Sequence, residues 1–187
     1  MNRNINFAGI MLTTWMLVSV SQIRASQMVP LSLDQLAARA QRVIHGKVLS
    51  KTCLRDERGE IYTKIDVEVY EVWKGAATNR FVIVQAGGIL GEEAMEAVGQ
   101  QQYQMGEEIV DFLVVNWRGE GVSIAASRGK FTVSENPKTH QKQVLNLFWL
   151  EPPKPGGGAS LQSVKVAPSP HVIALDDFRL RIKGGVR

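Results

Sequence analysis

The chain has 187 residues, of which 44% are hydrophobic and 7% aromatic, with a formal charge of +4 and a single cysteine, Cys53. This much apolar content excludes a disordered chain, and the length suits one compact domain. One thiol cannot close an internal disulfide, so a disulfide scaffold is excluded and the fold must rest on its hydrophobic core.

In chain order, Arg3 is followed by an uncharged apolar run from Phe7 to Val20 and then by small and polar residues. This pattern predicts a secretory signal peptide over residues 1–25, with cleavage between Gln22 and Gln27, and hence an exported protein, periplasmic or secreted. The alternative is an uncleaved anchor, for which a run of about 14 residues is short against the roughly 20 of a membrane span. A barrel domain is expected over residues 30–150. Its first element is a short helix from Leu33 to Ala40, opened by the capping box Ser32-x-x-Gln35.

Val43 to Leu49 reads as the first strand, with Gly46 marking a bend or bulge. RDERGE, residues 55–60, is a hairpin turn with Gly59 as its φ-positive residue. In the second strand Ile61, Thr63, Ile65, Val67 and Val69 fall on one face, and Tyr62, Lys64, Asp66, Glu68 and Tyr70 on the other. The phase slips at Val69, Tyr70, Val72 and Trp73, which predicts a second bulge before Gly75. Further strands are expected at Phe81–Val84, Glu108–Val115 (broken by Asp111), Gly121–Ala126, Gly129–Glu135 and Lys142–Phe148, with a helical turn from Glu92 to Val98. Many short strands linked as meanders predict a mainly β fold, a small closed or nearly closed antiparallel barrel with an added hairpin. Residues 151–170, rich in Pro, Gly and Ser, read as a linker. In the basic segment 171–187, Leu175, Phe178 and Ile182 suit a helix, whereas Phe178, Leu180 and Ile182 suit a strand; the helix is preferred.

The order VIHGKVLS, polar turn, IDVEVYEV closing on WKG, FVIVQA and then QQYQMGEEIVDFLVV resembles the netrin-like modules of tissue inhibitors of metalloproteinases, over roughly Ala40 to Ala126. It is also similar to a group of uncharacterised exported bacterial proteins. The resemblance implies an OB-type five-stranded barrel, export and a binding role. In those inhibitors an N-terminal cysteine chelates the protease metal. No cysteine stands at the expected mature start here, so that chemistry has no residue to carry it.

His45, His140 and His171 show no metal-ligand spacing, and no nucleophile motif is present, so neither metal, cofactor nor catalytic residue is predicted. His45 is expected as an exposed or hydrogen-bonded strand residue and His140 as a solvated turn residue. Gly87, Gly88, Gly91 and Tyr103 belong to a long connection and form the candidate binding loop, although the glycines also serve a plain strand exit. Glu92 and Glu93 beside them would repel phosphate. An acid–base pair drawn from Glu92, Glu93, Glu107, Glu108 and Asp111 is the enzymatic alternative. Tyr62 and Tyr70 share their face with Asp66 and Glu68, which disfavours nucleic acid, and Trp73 and Trp117 are expected as core or rim plugs. The basic residues from Lys154 onward carry the chain's positive charge, so an envelope-binding tail is a further alternative. The expected partner is another exported protein, such as a protease, engaged through barrel-rim loops.

Overall fold

The computed structural model describes residues 31–97, 99–147 and 171–185. The expected leader (1–25) and the expected linker (151–170) lie outside them. Helix α1 (Leu33–Arg39) carries the anticipated capping box: Ser32 Oγ accepts from the Gln35 N–H while Gln35 Oε1 accepts from the Ser32 N–H. Lys74 Nζ donates to the Ala37 carbonyl at 2.7 Å, which satisfies an orphan acceptor at the helix C-terminus.

Strands β1 (Arg42–Arg55) and β2 (Ile61–Lys74) form one long antiparallel hairpin. Both extend further than the first strand's expected end at Leu49. Their register shifts three times, leaving Trp73 and Tyr70 of β2 and Leu49 of β1 without a partner. The bulge at Tyr70 sits where the apolar phase slips in the sequence. Strand β3 (Arg80–Ala86) pairs with β2, and β4 (Gly88–Leu90) with β5 (Glu93–Met95) make a small separate hairpin. The helical turn expected at Glu92 to Val98 is therefore replaced by a strand pair. Gly91, at φ +64°, supports a two-residue turn with Glu92, and Arg55 holds the Glu93 carboxylate at 2.7 Å.

Strand β6 (Glu108–Val115) pairs with β1 through Arg42↔Leu113 to Lys47↔Glu108, and β7 (Gly121–Ser123) pairs with β6. A single parallel bridge, Ile83↔Gly121, joins β3 to β7. The order β1-β2-β3-β7-β6 thus closes on β1 as a five-stranded barrel of OB type, with one parallel seam in an otherwise antiparallel wall. After a 3₁₀ turn at Ala126–Arg128, β8 (Lys130–Glu135) returns along β6 and continues through β9 (Lys142–Asn146) to β10 (His171–Ala174). Helix α2 (Leu175–Gly185) follows, so the C-terminal segment is a short strand and then a helix.

Alternation along the strands separates two cores. Ile44, Val48, Ile65, Val67, Ile83, Ile109 and Leu113 fill the barrel. Neighbours of opposite parity, Val43, Trp73, Val110, Phe112 and Phe131, face α1 and α2, where Phe178 and Ile182 are fully buried. Phe178 meets Phe131 at 4.8 Å between ring centroids and Trp73 at 6.0 Å. Its cations are engaged too: Arg179 and Lys183 pair with Glu71, and Arg181 with Asp34. Burial alone would raise the Glu71 carboxyl, but hydrogen bonds from Lys183 and Trp73 outweigh it and hold the group below its ordinary range. No described helix is long and apolar enough to cross a membrane.

Because Phe178 closes this second core, Phe178→Ala is expected to cost about 3–5 kcal/mol of unfolding free energy. Urea titration of the purified protein measures it, and a loss below about 1 kcal/mol would mean that α2 is not integral to the fold.

Candidate functional site

Two hairpin turns at one end of the barrel are built from the same local sequence, Asp56-Glu57-Arg58-Gly59-Glu60 and Asn116-Trp117-Arg118-Gly119-Glu120. In the first, Asp56 Oδ1 accepts from the N–H groups of Arg58 and Glu60 at 2.9 and 2.8 Å. In the second, Asn116 Oδ1 accepts from Arg118 and Glu120, both at 2.9 Å. The backbone closes both in the same way, and Gly59 and Gly119 take φ +86° and +78°. A short side chain that accepts twice, with a glycine three residues later, makes each tip rigid.

The second turn presents Trp117 at 86% exposure, the most open large hydrophobic side chain described. This corrects the expectation of a core or rim plug, which holds for Trp73 but not for Trp117. The ring has no core to enter because it leaves from the turn itself, and the Arg118 guanidinium stacks on it 4.6 Å from the centroid. The signal for this site in the sequence is the repeat of [D/N]-x-R-G-E, which is not a catalytic motif.

The candidate loop residues separate. Gly87 and Gly88 have φ of +83° and +145°, and a Cβ on Gly88 would lie 2.6 Å from Thr63 Oγ1 and 2.7 Å from Cys53 Sγ. These glycines are required by close approach, and they line a cleft of about 490 Å³ together with Cys53, Gln85, Met95 and Gln102. Gly91 lies at the β4–β5 turn. Tyr103 is buried and leaves the candidate binding surface: its hydroxyl donates to Asp111 Oδ2 at 2.6 Å inside the barrel. Gln-rich surroundings gave it the look of a loop residue, whereas its ring joins the interior cluster.

Around the next side of Gln85 runs a groove of about 410 Å³, bounded by Tyr62, Gln100, Trp117, Glu120 and Val122. Gln85 borders both spaces, and its Oε1 is buried with no hydrogen-bond donor among the described residues. Glu120 is fixed at the groove by Asn116 Nδ2 at 3.0 Å and Lys64 at 2.9 Å. Burial would raise its carboxyl, yet these partners hold it below the ordinary value.

Of the five acidic residues weighed for acid–base work, Glu107 and Asp111 share the neighbours Tyr103 and Lys130, and the other three lie elsewhere. Glu93 is held by Arg55, and Glu107 by Lys130 and Thr132. Glu108 is held by His45 at 2.7 Å and Lys142 at 2.8 Å, and Glu92 stands exposed at its turn. Asp111 is wholly buried and accepts from Tyr103 and from Ser123 Oγ at 2.7 Å. Burial pushes its carboxyl up to about 7, although both hydrogen bonds and the Lys130 charge favour the ionised form. Burial and the Asp111 charge push the Tyr103 hydroxyl well above its usual value. His140, φ +57°, is an exposed turn residue paired with Glu135. Among the described residues no three of His, Cys, Asp and Glu gather as a metal site. No protein-family model matches the chain, and no curated protein matches it.

Asp111 gives the fold a specific pH signature. Its folded pKa lies above the unfolded value near 4, so between about pH 4 and pH 7 the folded state binds more protons and stability falls as pH rises. The penalty, on the order of a few kcal/mol, is complete above pH 7 and absent below 4. Denaturation midpoints of wild type and Asp111→Asn measured across this window are expected to diverge steadily. Parallel curves would show that Asp111 is ionised throughout.

Proposed function

We propose that the protein is an exported, non-catalytic binding module of netrin-like order that engages another exported protein through the loops at one barrel end. The observation that carries this reading is the convergence there of the twin turns and the β4–β5 hairpin, presenting Trp117 and Ile89, the latter 71% exposed. Exposed tryptophan, arginine and aliphatic groups on rigid loops are the material of interface hot spots. The leader-like N-terminus supports export. Glu93, Glu107 and Glu108 are each engaged by a cation, which favours binding over acid–base catalysis. The basic tail is a weaker interaction surface, because Arg179, Arg181 and Lys183 are spent on Glu71 and Asp34.

Ile89→Glu tests this reading. Affinity capture from the periplasmic or culture fraction, with mass-spectrometric identification, is expected to recover a defined exported protein with the wild type. The variant, at an unchanged melting temperature, should retain less than about a tenth of it. Equal recovery by both, or repeated recovery of nothing, would overturn it.

A further inference from the structure

We propose that the groove between Trp117 and Gln85 is a binding site for a neutral oligosaccharide. Sugar rings present two kinds of surface, apolar C–H faces that pack on an aromatic plane and hydroxyls that donate and accept single hydrogen bonds. The groove offers a match for both. Trp117 is an open aromatic platform on a turn capped by Asn116, with Arg118 stacked on its ring. Gln85 sets an uncharged amide in the wall of this groove. Gln100 adds a second uncharged amide to the same wall, and Glu60 and Glu120 add carboxylates that accept from hydroxyls. The volume, about 410 Å³, lies in the range of small-ligand clefts, roughly 300–1,000 Å³.

The same lining weighs against the other polymers. Nucleic acid and sulfated glycans need a positive groove, whereas Asp56, Glu60 and Glu120 border this one against Arg118 alone. A peptide anchored by a paired charge would need a free carboxylate, whereas the Glu120 carboxylate is already held by Lys64 and Asn116. The barrel also opens at this place, since β3 and β7 meet at one bridge only, which leaves the outer edge of β3 accessible beside Gln85. The inference does not rest on a protein partner. Failure of the capture experiment leaves it standing, and the reverse holds as well.

Isothermal titration of the purified protein with cellotetraose, chitotetraose and a heparin-derived sulfated tetrasaccharide tests it. Saturable binding of at least one of the two neutral tetrasaccharides is expected, insensitive to added salt because the ligand carries no charge. Trp117→Ala and Gln85→Ala should each weaken it by about tenfold or more, and Ile89→Glu should leave it unchanged. Trp117 is exposed, so its removal leaves the fold intact; thermal melting of both variants checks this. Absence of binding to both neutral ligands, preference for the sulfated one, or undiminished binding by Trp117→Ala would each overturn the proposal.

Discussion

Everything in this fold depends on β1 pairing with two strands along the same residues. From Val43 to Lys47 it is paired with β2 on one edge and β6 on the other, which is what closes the barrel. A strand so placed must bend sharply, and Gly46 is where it does. A Cβ there would stand 2.2 Å from the Glu68 carbonyl, a contact that only displacement of β2 could relieve. The bulges at Tyr70 and Trp73 give β2 the extra length needed to follow the curve. They also place Tyr70 outside and Trp73 in the helix-covered core.

The opposite wall is the least paired, with one bridge at the β3–β7 seam. A polar cluster is built instead around β6. Asp111 points into the barrel two residues from Leu113, tying Tyr103 on one side and Ser123 on the other. Lys130 meanwhile donates to Glu107 and to the Gln102 carbonyl. These bonds fasten the connection that precedes β6 at a defined place over the barrel mouth. A buried carboxylate costs more than an apolar side chain of similar size. What it provides here is position: a connection with few apolar residues of its own is fixed by hydrogen bonds.

Much of the barrel was legible in the sequence because half-buried strands print a period-two pattern that survives without knowledge of the fold. Ile61 to Val69 shows it without interruption, and Ser32 with Gln35 announces a helix start just as locally. What stayed hidden lacked such a pattern. Strands β4 and β5 are three residues each, too short for any periodicity to register. Their existence depends on Gly91 and on Arg55, which is distant in sequence. Tyr103 lies among glutamines, and nothing local says that its hydroxyl meets Asp111. The twin turns were legible in principle, since the spacing of Asp56 to Gly59 recurs from Asn116 to Gly119. Their proximity at one barrel end is a product of topology alone.

The distribution of charge narrows how this surface can work. Formal charge is positive, yet three cations of the C-terminal helix are neutralised by Glu71 and Asp34, and the loop-bearing end mixes Arg58 and Arg118 with Asp56, Glu57, Glu60 and Glu120. Long-range steering of a strongly charged partner therefore has little to act through, and affinity must come from short-range contacts. Such contacts reward groups already held in place. The backbone under Trp117 qualifies, because the turn is closed by two Asn116 hydrogen bonds, and Arg118 backs the ring. The same economy explains why the twin turns are stiff rather than adaptable: a site without strong charge or a deep apolar socket gains most from preorganisation.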